Sequence, residues 1–173
     1  MAVIWYIALV VATGVERLVE LVISKRNAER AFAAGGIEYG QKHFPWMVAL
    51  HTGLLAACIA EAVLLDRPFI PALGWPMLVL VILSQALRYW CIAALGRQWN
   101  TRVIVVPGLH LVATGPYKWL RHPNYLAVVV EGFALPLVHT AWLTALTFTV
   151  LNAVLLLGFR IPTEERALGA LAR

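Results

Sequence analysis

GPYKWLRHPNYLAVVVEGFALPL, residues 115–137, changes within a few positions from a polar, aromatic turn to an apolar run. The Gly-Pro pair that opens it favours a turn. Pro123 suits the first turn of a helix, because the N–H that proline lacks would have no partner there. The sequence therefore predicts a helix that begins just after His122 and runs into an apolar environment, with Glu131 alone inside it.

The composition indicates what that apolar environment is. The chain is 61% hydrophobic and only 13% charged, whereas an ordinary soluble domain carries about 25% charged residues. A water-soluble chain of 173 residues could not hide so much apolar surface. We therefore predict an all-α, integral membrane helical bundle.

Five apolar segments are candidates for membrane spans. A helix that crosses a bilayer needs about 20 mostly apolar residues, and the fourth segment is short for a full crossing. We predict about five transmembrane helices, the last two forming a helical hairpin that is partly re-entrant: residues 2–24, 44–65, 73–95, 124–138 and 141–159.

The chain shows no internal repeat and no second domain. We predict a single membrane domain over residues 1–173, with a three-helix scaffold in residues 1–95 and a polar loop, the hairpin and a tail in residues 96–173. We expect the polar tail, residues 161–173, to form a short helix.

Basic residues mark the expected orientation. The net charge of +5 would suggest nucleic acid in a polar protein, but the basic residues cluster in loops, where they orient membrane proteins. We expect no nucleic-acid partner, an external N-terminus and a cytoplasmic third loop and tail. The cytoplasmic set is Lys25, Arg26, Arg30, Lys42, Arg97, Arg102, Lys118, Arg121, Arg160, Arg166 and Arg173, against Arg67 alone in the second loop.

Charged residues inside the spans need partners. A charge at the bilayer centre costs a few kcal/mol unless it is paired or lies near a span end. Glu16 and Glu20 are one helical turn apart and share a face, so pairing with Arg17 or Arg88 would lock the bundle. Glu131 lies two turns into the hairpin helix, where a structural and a functional role are both open.

Two clusters meet where the hairpin leaves the membrane. In the motif RHPNY, residues 121–125, His122 lies at a helix start, where free N–H groups favour an anion. The motif RIPTEERAL, residues 160–168, leaves the last span with acids that suit the first turn of another helix. Because the two arms of one hairpin emerge on the same face, we predict a polar, aromatic pocket at the cytoplasmic interface.

The pair of motifs, with the apolar hairpin between them, resembles the isoprenylcysteine carboxyl methyltransferase family. The related phospholipid N-methyltransferases and membrane sterol reductases share features of this pattern. The resemblance implies S-adenosylmethionine as cofactor, bound by the hairpin and its flanking loops, so that residues 96–173 hold the cofactor-binding loop. By the same resemblance, the cofactor would contact Leu109, His110, Leu111, Val112, Tyr117, His122, Pro123, Asn124, Tyr125 and Glu164.

The resemblance also implies the reaction. Arg160 matches the arginine that faces the methyl acceptor, which would be lipophilic: an isoprenylcysteine carboxylate, or a hydroxyl of a long-chain polyketide such as an alkylpyrone or alkylresorcinol. A carboxylate ionises without help, but a hydroxyl needs a base. Glu131 and His122 are the candidate bases, so the predicted catalytic residues are Arg160, Glu131 and His122.

Two other functions stay open from the sequence. A membrane reductase of the sterol-reductase kind would need NADPH, and a non-catalytic membrane protein would bind neither cofactor. We expect no metal site, because no two of the five histidines have ligand spacing. The favoured prediction is an S-adenosylmethionine-dependent O-methyltransferase in a bacterial plasma membrane.

Overall fold

The computed structural model describes residues 2–169 and contains six α-helices and two short strands. Arg173, which the sequence places in the cytoplasmic tail, lies outside the described residues. The helices are α1 (Ala2–Ala33), α2 (Phe44–Leu64), α3 (Pro71–Leu95), α4 (Pro123–Leu137), α5 (Trp142–Leu155) and α6 (Ile161–Gly169). The strands are β1 (Ile37–Tyr39) and β2 (Val103–Val105), and a π-helical segment, Leu156–Arg160, joins α5 to α6.

The helices confirm the prediction of an all-α membrane bundle. Within residues 2–169, three helices are long and apolar enough to cross a membrane when their adjoining turns are included: Gln41–Leu64, Pro71–Gln98 and Trp142–Gly169. Large apolar side chains stay exposed along their outer faces, as lipid contact requires. With 15 residues, α4 is only about 22 Å long. The number of crossings, about five, stays a prediction.

The predicted hairpin is formed by α4 and α5, which pack tightly against each other. A methyl group at Gly132 would collide with the ring of Phe148 on the opposite helix, so glycine permits the close approach. Thr140 adopts a left-handed conformation with a φ of 54° in the turn between the helices. The hairpin therefore returns the chain to the side from which α4 began.

The core lies between the hairpin and the first three helices. Tyr6 is fully buried and donates a hydrogen bond to the carbonyl oxygen of Leu135 at 3.2 Å. Its apolar neighbours are Val10, Leu54, Cys58, Ala62, Val81, Ala134, Val138 and Phe148. This packing holds α1 and α2 against the hairpin that carries the motif RHPNY.

Two features of the fold were not predicted. Helix α1 continues to Ala33 rather than ending near residue 24, because residues 25–33 are mostly good helix formers. Strands β1 and β2 form a small antiparallel sheet with Tyr39 opposite Val103. Val103 and Val105 pack against Ala167, so this sheet is the platform on which α6, the predicted tail helix, docks.

Candidate active site

Tyr125 joins the two sequence motifs through one hydroxyl group. The hydroxyl accepts a hydrogen bond from Arg160 Nε at 3.0 Å and donates one to the carboxylate of Glu164. Arg160 is only 6% exposed, and a buried charge is tolerated when its donors are satisfied. The predicted convergence of residues 121–125 and 160–168 is therefore present as a hydrogen-bonded group.

The π-helical segment explains how Arg160 reaches this position. Pro162 has no N–H to donate to the carbonyl of Gly158, so a regular α-helix cannot continue unchanged from α5 into α6. The chain instead forms one π turn over Leu156–Arg160, a distortion that is frequent at functional sites. The extra residue in this turn changes the direction in which the Arg160 side chain points.

A second contact fixes Arg160 from the loop before β2. Its Nη2 atom donates to the carbonyl oxygen of Thr101 at 2.6 Å. The Thr101 hydroxyl lies 2.8 Å from that of Ser24 on α1, and Asn27 donates to the carbonyl of Trp99 at 2.7 Å. The end of α1 therefore holds the loop against which Arg160 is positioned.

His122 stacks on Tyr125 and faces two carboxylates. The two rings are 5.4 Å apart between centroids, with 24° between their planes. Nδ1 lies 3.7 Å from Glu164 and Nε2 lies 3.5 Å from Glu165, which are ion-pair rather than hydrogen-bond distances. The interaction with Glu164 raises the pKa of the His122 imidazole above its ordinary value, against the opposing effect of burial.

A cavity of about 510 Å³ runs from this group into the apolar interior. Asn124, Tyr125, Thr101 and Arg160 lie at its polar end. Apolar side chains of α1 and α2 line the other end, among them Val10, Val11, Leu55 and Ile59. The shape and chemistry suit an amphiphile whose polar head lies beside Arg160 and whose chain extends between the helices.

The other predicted cofactor residues divide into two groups. Pro123 and Asn124 open α4 beside His122 and Tyr125, and the Tyr117 hydroxyl lies against the Cys91 thiol of α3. Residues 109–112, from Leu109 to Val112, form an irregular loop that is mostly exposed. Among the described residues, no hydrogen bond or ion pair joins His110 or its neighbours to the Tyr125 group.

Glu131 belongs to a different cluster. Arg17 donates to both of its carboxylate oxygens, at 2.9 and 2.7 Å, and Arg88 donates to it at 3.2 Å. The same two arginines bind Glu20, at 2.6 and 3.6 Å, as the predicted pairing requires. Glu131 is not among the described residues that line the cavity, whereas Glu20 is.

Glu16 finds neutral partners instead of an arginine. It accepts hydrogen bonds from Gln85 and from the hydroxyl of Tyr89, the latter at 2.8 Å. Sequence reasoning could name the charged residues but not these partners, because neutral side chains in apolar segments give no distinct signal.

The polar groups around Tyr125 fit the cofactor that the resemblance implies. Within residues 2–169, the Oδ1 atom of Asn124 is buried without a hydrogen-bond partner. Buried polar atoms of this kind need an external partner. The Glu164 carboxylate offers an acceptor for hydroxyl or amine groups. In the same range, no three His, Cys, Asp or Glu side chains come together as a metal site would require.

Comparison with known proteins identifies the family to which the chain belongs. The family model that describes the isoprenylcysteine carboxyl methyltransferase (ICMT) family matches residues 77–170, which include both motifs and the cavity's polar end. The chain belongs to this family and is a membrane methyltransferase.

Two curated relatives extend the likeness to most of the chain. The "Uncharacterized protein YpbQ" of Bacillus subtilis is 40% identical over 89% of this chain and 90% of its own length. An "Uncharacterized protein" of Haemophilus influenzae is 29% identical over 90% of each chain. No solved structure gives a significant match.

Proposed function

We propose that this protein transfers a methyl group from S-adenosylmethionine to an oxygen atom of a lipophilic acceptor. The observation that carries the proposal is the Tyr125 hydroxyl between Arg160 and Glu164, at the polar end of a cavity with an apolar interior. When bound, S-adenosylmethionine supplies a methyl group activated by a positively charged sulfur. His122, Pro123, Asn124, Tyr125 and Glu164 would hold it, with Tyr117 and residues 109–112 as further predicted contacts.

Each side chain has a distinct role in this proposal. The Glu164 carboxylate would accept hydrogen bonds from the cofactor's hydroxyl or amine groups, and the Tyr125 ring would face its positive sulfur, as aromatic rings face cations. The Arg160 guanidinium would orient the acceptor oxygen. Because a displacement of this type needs alignment above all, holding both reactants still and excluding water would supply most of the rate.

The acceptor would enter sideways from the lipid. The apolar part of the cavity lies between α1, α2 and α5. The outer faces of these helices expose large apolar side chains, so this part of the protein lies in the membrane. An isoprenylcysteine carboxylate, or the hydroxyl of an alkylpyrone or alkylresorcinol, has the required polar head and long chain. We place the N-terminus outside a bacterial plasma membrane and the site on the cytoplasmic side.

A catalytic base is needed only for a hydroxyl acceptor, because a carboxylate is already ionised. His122 stacks on Tyr125 beside the polar end of the cavity, but like Glu131 it is not among the described residues that line the cavity, and as a base it would act in its neutral form. Glu131 is held by Arg17 and Arg88 outside the cavity lining. Its proposed role as base would require that these ion pairs open during turnover.

The proposal is tested with methyl-labelled S-adenosylmethionine and purified protein in lipid nanodiscs. Two acceptors are offered, farnesylcysteine and a long-chain alkylresorcinol. The expected result is label in at least one of them, as a base-labile ester for the carboxylate or a base-stable ether for the hydroxyl. No transfer to either acceptor, together with binding of NADPH, would favour the reductase alternative and contradict the proposal.

Arg160→Lys is the test variant for the role of Arg160 in that assay. Lysine keeps the positive charge but cannot donate to Tyr125 and Thr101 in the geometry of a guanidinium. We expect the rate of transfer to fall at least about 100-fold, because misplacing a positioning group by about 1 Å can cost that much. Full activity of Arg160→Lys would show that Arg160 does not orient the acceptor.

A further inference from the structure

Asn152 presents an unsatisfied polar group to the cavity, away from the Tyr125 group. Its side chain on α5 lines the cavity and is only 2% exposed. Its Oδ1 atom has no hydrogen-bond partner among residues 2–169. A buried amide without a partner is costly unless a bound molecule satisfies it.

Two more polar side chains line the same cavity. Arg88 lines it and is 6% exposed, and its Nε atom also lacks a partner among the described residues. His51 lines it from α2, with Nδ1 2.8 Å from the carbonyl oxygen of Met47. In the neutral ring, a proton on Nδ1 leaves Nε2 as an acceptor. We call Asn152, Arg88 and His51 the polar collar.

The polar collar is separated from the reacting end of the cavity. Asn152 precedes Arg160 by roughly two helical turns on one continuous helical run. His51 packs edge-on against Phe148. Phe148 lies on α5 one turn further from Arg160 than Asn152 does. A purely apolar chain passing this point would leave Asn152 Oδ1 and Arg88 Nε without partners, whereas a hydroxyl group on the ligand would donate to Asn152 Oδ1 and accept from Arg88 Nε.

We propose that the polar collar binds an uncharged hydroxyl group of the acceptor, distinct from the oxygen that receives the methyl group. This inference rests on the proposed function and narrows its substrate class to amphiphiles that carry a hydroxyl group roughly two helical turns, ~12 Å, from the methylated oxygen. The positive charges of Arg17 and Arg88 are balanced by the carboxylates of Glu20 and Glu131. This balance favours an uncharged ligand group over an ion. Asn152 is then a specificity residue that acts on binding.

The test compares two amphiphiles that differ by one oxygen. A phenol with a meta-pentadecyl chain and the corresponding diol, which carries a second hydroxyl on the chain carbon that lies roughly 12 Å (about two helical turns) from the phenol oxygen, are titrated calorimetrically into protein in nanodiscs, with empty nanodiscs as the blank for partitioning. The wild-type protein should bind the diol about 3- to 10-fold more tightly, which corresponds to one additional hydrogen bond. In Asn152→Leu, which keeps the volume but loses both polar atoms, the preference should disappear while phenol binding stays unchanged.

Thr149→Val is the matched control. Thr149 lies on the same helix and also has a buried hydroxyl without a partner among residues 2–169, but it does not line the cavity. We expect this variant to keep the wild-type preference, and Asn152→Ala to lose it, as Asn152→Leu does.

Several outcomes would overturn the inference. These are equal binding of the two amphiphiles by the wild-type protein, an undiminished preference in both Asn152 variants, or an equal loss of both ligands. Binding of S-adenosylhomocysteine is measured on the same samples. Its absence beside an intact preference for the diol would contradict the proposed function while leaving the polar collar established.

Discussion

At the scale of single residues, Tyr125 and His122 connect two distant parts of the chain. The hydroxyl of Tyr125 contacts both Arg160 and Glu164, and the ring of His122 stacks on Tyr125 while facing Glu164. The charge of the imidazole is therefore part of what holds α6 beside α4. Because histidine titrates near neutral pH, this contact depends on pH.

His122→Asn should reveal that dependence. The pKa of His122 is raised in the folded protein, chiefly by its interaction with Glu164. Its contribution to stability is therefore fully present below the unfolded pKa of about 6.5 and is lost as pH rises through the raised, folded value. We expect the difference in Tm between wild type and His122→Asn to be largest near pH 6 and to shrink at alkaline pH.

Thermal unfolding in detergent between pH 5.5 and 9 measures this difference, and the wild-type curve serves as the reference at each pH. A difference that grows with pH would contradict the assignment of a charged His122 beside Glu164.

At the scale of secondary-structure elements, the ends of the hairpin helices are tied by side chains from elsewhere. Glu61 of α2 accepts hydrogen bonds from the backbone N–H groups of Leu143 and Thr144, at 3.2 and 2.7 Å, and from the Thr144 hydroxyl. It also pairs with Arg67 at 3.0 Å. Glu61 therefore caps the start of α5, the helix that leads to Arg160.

Glu61→Gln should destabilise the protein without changing its reaction. An amide can accept fewer of these hydrogen bonds and does not complement the helix dipole, so we expect a loss of about 1–2 kcal/mol in the free energy of unfolding. Denaturant unfolding in mixed micelles measures it. Glu29→Gln, on an exposed position of α1, is the control, and an equal effect of the two changes would argue against the capping role.

At the scale of the whole molecule, a buried ion cluster joins three helices. Arg17 of α1 and Arg88 of α3 both bind Glu131 of α4. Removing one partner of a buried ion pair leaves the other charge uncompensated. The cluster therefore ties the scaffold of α1 and α3 to the hairpin.

Glu131→Gln separates this structural role from a role as base. We expect the free energy of unfolding to fall by about 3 kcal/mol, measured by denaturant unfolding. Turnover per folded molecule on a hydroxyl acceptor decides the second role. If it stays at the wild-type level, Glu131 is not the base, whereas unchanged stability would contradict the structural account.

The sequence predicted the parts of the site that depend on local pattern. Pro123 marked the start of α4, and the hairpin brought residues 121–125 and 160–168 together as expected. The π turn before Pro162, the carbonyl of Thr101 and the sheet under α6 could not be predicted, because they depend on contacts between segments distant in sequence. For the same reason, Glu131 could be recognised as a buried charge, but its arginine partners could not be assigned.

The most direct test of the proposed active site is calorimetric binding of S-adenosylhomocysteine to purified protein in lipid nanodiscs. We compare wild type with Tyr125→Phe and Glu164→Gln. The control is Tyr89→Phe, which removes another tyrosine–glutamate hydrogen bond, to Glu16. The account predicts binding by wild type and Tyr89→Phe, and a loss of at least about tenfold in the other two variants, because each removes a charge-assisted hydrogen bond from the site. No binding by folded wild-type protein, or equal binding by all four proteins, would contradict it.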